Sequence, residues 1–155
     1  MSSVEEKPAP QTSSPRIAVI WGWAGVLPFL ALAAAKFGLN SEFSDFAMQA
    51  LIAYGAIILA FMGGVHWGLV MNGSGQSDQN AGIYTAGILP AVVATAATFV
   101  PHSFGAMLLA AGFLGLLVFD LWLVRRAYGP EWYSALRVRL TIPVVACLAL
   151  VSLPR

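Results

Sequence analysis

The sequence contains a single cysteine and very little charge. Cys147 stands alone, so the chain can form neither an internal disulfide nor a two-thiol metal or redox site. Only 10% of the residues are charged, whereas a typical soluble domain carries about 25%. The chain also lacks a basic tract and any alternation of basic and aromatic residues, so nucleic-acid binding is not expected.

Apolar residues dominate what is present. They make up 59% of the 155 residues, and the mean hydropathy is +0.78. We therefore expect an all-α fold, an integral membrane helical bundle that is embedded in the lipid bilayer. A span needs about 20 apolar residues to cross the hydrocarbon. Five runs approach that length, at residues 17–36, 46–71, 82–100, 104–124 and 131–153.

The chain is expected to contain one folded domain. Residues 1–15 are rich in serine, proline and charge, and they offer almost nothing to bury, so we predict a disordered cytoplasmic tail. Residues 16–155 then form a single transmembrane helical domain. An alternative stays open at the first span, because Ala31-Leu-Ala33-Ala-Ala35 resembles a signal-peptide cleavage site. Cleavage there would leave four spans.

The distribution of lysine and arginine predicts an orientation. Two positions fall on one side of the expected membrane, Lys36 and Arg155. The other side collects six: Lys7, Arg16, Arg125, Arg126, Arg137 and Arg139. The positive-inside rule therefore predicts a multi-pass protein of the bacterial inner membrane, with a cytoplasmic N-terminus and a periplasmic C-terminus.

A stripe of small residues runs along the second span. Ala56, Ala60, Gly64 and Gly68 recur at every fourth position, which places them on one helix face. Small residues let another helix approach closely in lipid, so this small-residue stripe is a candidate packing face.

Polar residues on different spans are expected to share one depth. His66 and Asp120 each lie shortly before the cytoplasmic end of their span, about 6–8 Å inside it. Tyr84, Arg137 and Arg139 belong to the same layer. A charge at membrane depth is costly and is usually paired. Since the helical neighbours of Asp120 are all apolar, its partner must come from another helix, with His66, Arg137 and Arg139 as candidates.

Two interpretations of this polar layer remain open. A histidine–carboxylate pair suits proton transfer or the binding of a ligand such as a quinone. The same residues could instead form a structural clamp that fixes the register of the helices. We assign no catalytic residue, cofactor or metal site, because no helix repeats a histidine or carboxylate three or four positions from His66.

Part of the second span resembles a known family signature. Tyr54-Gly-Ala-Ile-Ile-Leu-Ala-Phe-Met-Gly-Gly-Val-His66-Trp-Gly68 contains a distinctive Gly-Gly-x-His-Trp-Gly core, and Gly25–Phe29 and Pro130–Thr141 add weaker similarity. The chain resembles a bacterial family of small, uncharacterised polytopic membrane proteins, similar to the mitochondrial transmembrane protein 69 of animals. The resemblance covers about residues 17–153 and implies an inner-membrane helical protein, without an established activity.

The function expected first is a non-enzymatic accessory or assembly factor. Its partners would be other membrane subunits, bound through the small-residue stripe, and the mitochondrial kinship favours respiratory complexes. The alternative is a small-molecule, quinone or proton-handling site at His66, Asp120 and Arg137. Secondary transport is disfavoured, because the spans show no internal repeat.

Overall fold

The computed structural model describes residues 15–38, 41–71, 81–126 and 130–153. These residues form five α-helices and no strand, which confirms the predicted all-α class. Each helix is long and apolar enough to cross a membrane. The helices are α1 (Arg16–Gly38), α2 (Ser41–Met71), α3 (Ala81–Thr98), α4 (His102–Arg125) and α5 (Glu131–Ser152).

Consecutive helices lie side by side around the bundle. Each contacts the next along the chain, and α5 returns to contact α1, so the five form a closed ring. A further contact between α2 and α4 crosses the ring. Helix α2 thus contacts α1, α3 and α4. Because α4 also contacts α5, side chains from α2, α4 and α5 can meet at α4.

Helix α2 is longer than the span expected from the sequence. It begins at Ser41 rather than near residue 46 and contains 31 residues. Its first turn includes Glu42, a favourable charge at a helix N-terminus that an apolar-run criterion ignores. At 1.5 Å per residue it measures about 46 Å, so it tilts or reaches beyond a hydrocarbon core of about 30 Å.

Prolines precede two of the helices. Pro101 is the N-cap of α4 and Pro130 is the N-cap of α5, where the missing N–H of proline costs no intrahelical hydrogen bond. The predicted disordered tail lies outside the described residues, apart from Pro15, which is exposed.

Aromatic rings fill the middle of the bundle. Phe29 of α1 is fully buried and meets Tyr54 of α2 and Phe113 of α4 edge to face, with ring centroids 5.1 and 6.0 Å apart. The Tyr54 hydroxyl donates a hydrogen bond to the Gly25 carbonyl at 3.0 Å. Such contacts fix three helices around one ring.

Helices α2 and α3 approach each other at two glycines. A Cβ added to Gly63 would lie 2.5 Å from the Gly87 carbonyl oxygen, and one added to Gly87 would lie 3.0 Å from the Gly63 carbonyl oxygen. Pro90 of α3 covers the same position on Gly63. Neither backbone has room for a side chain, so the crossing depends on both glycines.

The end of the bundle opposite His66 is joined by a lysine. Lys36, near the end of α1, donates hydrogen bonds to the carbonyl oxygens of Val151 and Leu153 at the end of α5. The Ser44 hydroxyl of α2 donates to the Lys36 carbonyl at 3.0 Å. Carbonyls at a helix C-terminus lack intrahelical donors, so a cation there satisfies groups that would otherwise be unpaired.

Candidate functional site

Three ionisable side chains from three helices meet inside the bundle. His66 Nε2 of α2 lies 2.8 Å from Asp120 Oδ1 of α4, and Arg137 Nε of α5 donates to Asp120 Oδ2 at 2.5 Å. The exposed fractions are 0% for His66, 1% for Asp120 and 5% for Arg137. We call these three residues the polar cluster.

The polar cluster has a defined hydrogen-bond pattern. A carboxylate oxygen only accepts, so in this arrangement Arg137 Nε–H donates to Asp120 Oδ2 and the His66 tautomer with a proton on Nε2 donates to Oδ1. With a neutral imidazole the cluster has no net charge. Burial of an ion pair is tolerated when each charged group is hydrogen-bonded to another, as Asp120 is here.

A metal does not fit this arrangement. Arg137 occupies one oxygen of Asp120 and His66 the other. Among the described residues, no group of three histidine, cysteine, aspartate or glutamate side chains is placed to hold a metal ion.

Several buried polar atoms around the cluster lack a hydrogen-bond partner among the described residues. They are His66 Nδ1, Arg137 Nη2, Thr141 Oγ1 and the Tyr133 hydroxyl. Tyr133, Arg137 and Thr141 follow one another at a spacing of four residues and therefore share one face of α5. An unpaired buried donor costs about 1–3 kcal/mol, so these atoms create a demand for a polar partner.

A cavity lies beside two of these residues, Arg137 and Thr141. It has a volume of about 280 Å³ and is bounded by α1, α2, α4 and α5. Its polar lining comes from Arg137 and Thr141, and the remaining wall is apolar or glycine, with Trp21, Phe29 and Val144 among its residues. The cavity thus combines two polar residues with an apolar wall, the usual composition of a small-molecule site.

Aromatic side chains cover the imidazole on another side. The Phe119 ring meets His66 edge to face at 5.0 Å and stacks on Trp122 at 5.5 Å. The Arg126 guanidinium lies 5.1 Å from the Trp122 ring. This row leads from the end of α4 inward to His66 and helps to exclude water from it.

Two residues predicted for the polar layer lie apart from the cluster. Arg139 is exposed, because it is two positions from Arg137 and faces the other way on α5. Tyr84 of α3 packs its ring against Trp67 at 5.3 Å, and its carbonyl accepts a hydrogen bond from the Trp67 indole at 3.1 Å.

The small-residue stripe divides along α2. Ala56 is buried and Ala60 is half-buried, whereas Gly64 and Gly68 are exposed. A Cβ added to either exposed glycine would meet nothing within 4 Å. The close helix contact inside the bundle is made instead by Gly63, on a neighbouring face.

Sequence reasoning missed Thr141, Tyr133 and the cavity. The spacing of Tyr133, Arg137 and Thr141 was a usable signal, since three hydrogen-bonding residues on one face of an apolar helix indicate an inward face. It would also have favoured Arg137 over Arg139 as the partner of Asp120.

The amino-acid sequence matches a known protein family and a curated relative. A family described as "Protein of unknown function (DUF3429)" matches residues 14–153. The chain belongs to the DUF3429 family. The function of this family is not established, and the described part of this member has five helices of membrane-spanning length.

A curated relative of this DUF3429 protein is Transmembrane protein 69 of Xenopus tropicalis. The two are 32% identical over 137 residues, which are 87% of this chain and 53% of the relative. The chain therefore spans about half the length of the curated relative that it matches. No solved structure matches it significantly. The relative's name supports a membrane location and states no activity.

Proposed function

We propose that the protein binds a small molecule from the bilayer in the cavity beside Arg137 of the polar cluster. The observation that supports this most is the cavity beside Arg137 and Thr141, two buried residues whose Nη2 and Oγ1 atoms lack partners among the described residues. A ligand in the cavity that accepts hydrogen bonds would offer these two residues a partner. A polar cluster that served only to hold the helices in register would not need an adjacent cavity.

The pair of His66 and Asp120 would add a proton-handling capacity to this site. The imidazole donates one N–H to a carboxylate, and its second nitrogen has no partner among the described residues. A histidine oriented in this way can take up or release a proton at Nδ1 while the carboxylate stabilises the cation.

The setting proposed for this site is the inner membrane of a bacterium, as a single multi-pass domain over residues 16–155. The arginine-rich side, with Arg125 and Arg126, would face the cytoplasm. The polar cluster would then lie a few residues inside the cytoplasmic boundary.

Ligand recovery tests this function. The protein and two variants, Arg137→Gln and Arg139→Gln, are purified in mild detergent, and bound lipids and quinones are identified by mass spectrometry. We expect a ligand with the wild type and with Arg139→Gln, and its loss from Arg137→Gln, because only Arg137 lines the cavity. Equal recovery from all three proteins would contradict the proposal, as would a wild type that carries no ligand.

A second candidate is the accessory or assembly role, with membrane subunits such as those of respiratory complexes as partners. It is supported by Gly64 and Gly68, which are exposed beside open space at the end of the small-residue stripe that the bundle leaves uncovered. Gly64→Leu with Gly68→Leu should abolish recovery of a partner in native pull-downs, whereas Gly82→Leu, also exposed, should not. A partner retained by the double variant would refute this role.

A further inference from the structure

We infer that the ligand is an uncharged lipid with a carbonyl group, which enters the cavity sideways from the bilayer between α1 and α2. This inference rests on the proposed function and deepens it, since it names the class of ligand. Two lipid sources share this chemistry, a prenyl quinone and a glyceride ester.

The cavity has a polar end and an apolar end along the membrane normal. Arg137 lies near the start of α5 and Trp21 near the start of α1, so both sit close to one membrane boundary. Phe29 and Val144 lie about two turns further along the same helices, about 10–12 Å deeper. A lipid whose polar group lies near the interface and whose chain points inward has the same arrangement.

The charge of the site selects an uncharged ligand. Arg137 and Asp120 neutralise each other through a direct hydrogen bond, and the described residues that line the cavity include no further ionisable one. A carboxylate or phosphate in the cavity would add an unbalanced negative charge at membrane depth, which is costly. Among the lining residues, the Arg137 guanidinium and the Thr141 hydroxyl carry hydrogen-bond donors, and a neutral carbonyl oxygen has two lone pairs to accept them.

The volume of the cavity suits the head of such a lipid. About 280 Å³ is near the lower end of the range for small-molecule pockets, about 300–1,000 Å³. It would hold a quinone ring or an ester group but not a complete lipid. Trp21 and Phe61 line the cavity and are 72% and 68% exposed, so it reaches the surface of the bundle. The remaining chain of the lipid would stay in the bilayer.

Gly25 offers a way to close the cavity without touching the polar cluster. It lines the cavity, and a Cβ added to it would meet nothing within 4 Å. Its contact with Tyr54 uses the backbone carbonyl, which any residue provides. A phenylalanine at this position would extend into the space that the ligand is inferred to occupy. Gly82, exposed at the start of α3 and equally unobstructed, is the matched control position.

The test counts bound lipid by native mass spectrometry in dodecylmaltoside, a detergent without carbonyl groups. Decylubiquinone and dioctanoylglycerol are titrated separately. We expect saturable binding of one molecule per chain for at least one probe, and the probe that binds identifies the source. Gly25→Phe should weaken that binding by about tenfold or more, because its ring takes the same space, and Gly82→Phe should leave it unchanged.

Thr141→Val provides a second variant, which keeps the side-chain shape and loses the hydroxyl. It should weaken binding about fivefold, as expected for one hydrogen bond. Saturable binding of neither probe overturns the inference. If Arg137→Gln loses the purified ligand while Gly25→Phe and Thr141→Val both retain the probe, the proposed function stands and the inferred ligand position is wrong.

Discussion

Asp120 is the residue on which the polar cluster depends, because each of its oxygens holds a different helix. Oδ1 accepts from His66 of α2 and Oδ2 accepts from Arg137 of α5. Removal of one partner leaves a buried charge without compensation, which is far more costly than the absence of both charges. Single and double substitutions should therefore differ in stability, and this difference allows a structural role of the ion pair to be distinguished from a role in ligand binding.

Substitution of Arg137 alone should destabilise the protein strongly. We expect Arg137→Leu to lower the free energy of unfolding by about 3 kcal/mol, because the Asp120 carboxylate stays buried with only a neutral donor. Asp120→Leu combined with Arg137→Leu should recover most of this loss, since both charges are removed. Unfolding in mixed micelles of dodecylmaltoside and increasing sodium dodecyl sulfate measures the difference.

Arg139→Leu is the control for this series, because Arg139 is exposed and its substitution should stay within about 0.5 kcal/mol of the wild type. A stable double variant that no longer carries ligand would show that the cluster does more than join helices. If Arg137→Leu proved as stable as Arg139→Leu, the buried ion pair would be refuted.

At the scale of the element, α2 presents two neighbouring glycines to different surroundings. Gly63 faces α3, where the Gly87 carbonyl leaves no room for a Cβ, whereas Gly64 faces open space. One step along the helix turns the side-chain direction by about 100°, which is enough to separate a packed face from an unpacked one.

Alanine substitutions at these two glycines should have opposite effects. Gly63→Ala should lower the free energy of unfolding by about 1–3 kcal/mol, because the methyl group forces two backbones apart. Gly64→Ala should be neutral or stabilising by up to about 1 kcal/mol, since alanine favours the helix. The same micelle unfolding assay compares them. A Gly63→Ala variant as stable as Gly64→Ala would contradict the close crossing of α2 and α3.

The sequence predicted where the helices lie along the chain better than it predicted which face of each helix contacts a neighbour. Apolar runs identify membrane helices because every backbone polar group must be paired inside lipid, so all five were found. The start of α2 at Ser41 was missed, since Glu42 and Asp45 interrupt the apolar run without ending the helix. The four-residue spacing drew attention to Gly64, but spacing alone does not say which face of a helix meets a neighbour.

The part of the candidate site that depends only on the depth of each residue in the membrane could be predicted from the sequence. His66 and Asp120 lie at similar distances from the ends of α2 and α4, and only side chains at one depth can meet. Which arginine completes the cluster depends on the rotation of α5, which the sequence indicated only through Tyr133 and Thr141. The cavity depends on how four helices leave space between them, and no single span encodes that.

On the scale of the whole molecule, the ring of helices places different chemistry at its two ends. The polar cluster and the row from Phe119 to Arg126 lie toward one end, and Lys36 joins α1 to α5 at the other. The proposed orientation puts the first end toward the cytoplasm, so residues at the two ends should differ in their access to external reagents.

Cysteine labelling measures this orientation. Cys147 is buried and is replaced by alanine, after which Ser103→Cys or Arg126→Cys supplies one exposed thiol at each end. In spheroplasts, an impermeant maleimide should label the chain with Ser103→Cys and spare the chain with Arg126→Cys, because the connection between α3 and α4 would be periplasmic. Permeabilised cells should label both. The reverse pattern in spheroplasts would contradict a cytoplasmic N-terminus.

The position of Asp120 between two partner helices also has a consequence for biogenesis. The ribosome delivers α2 first, then α4, and α5 last, so His66 already lies in the membrane when Asp120 arrives, and Arg137 follows. The carboxylate therefore acquires its neutral donor before its cationic one. Until α5 has inserted, the nascent chain holds an acidic group in lipid with one of its two hydrogen bonds, so the insertion of α5 is the step that completes the polar cluster.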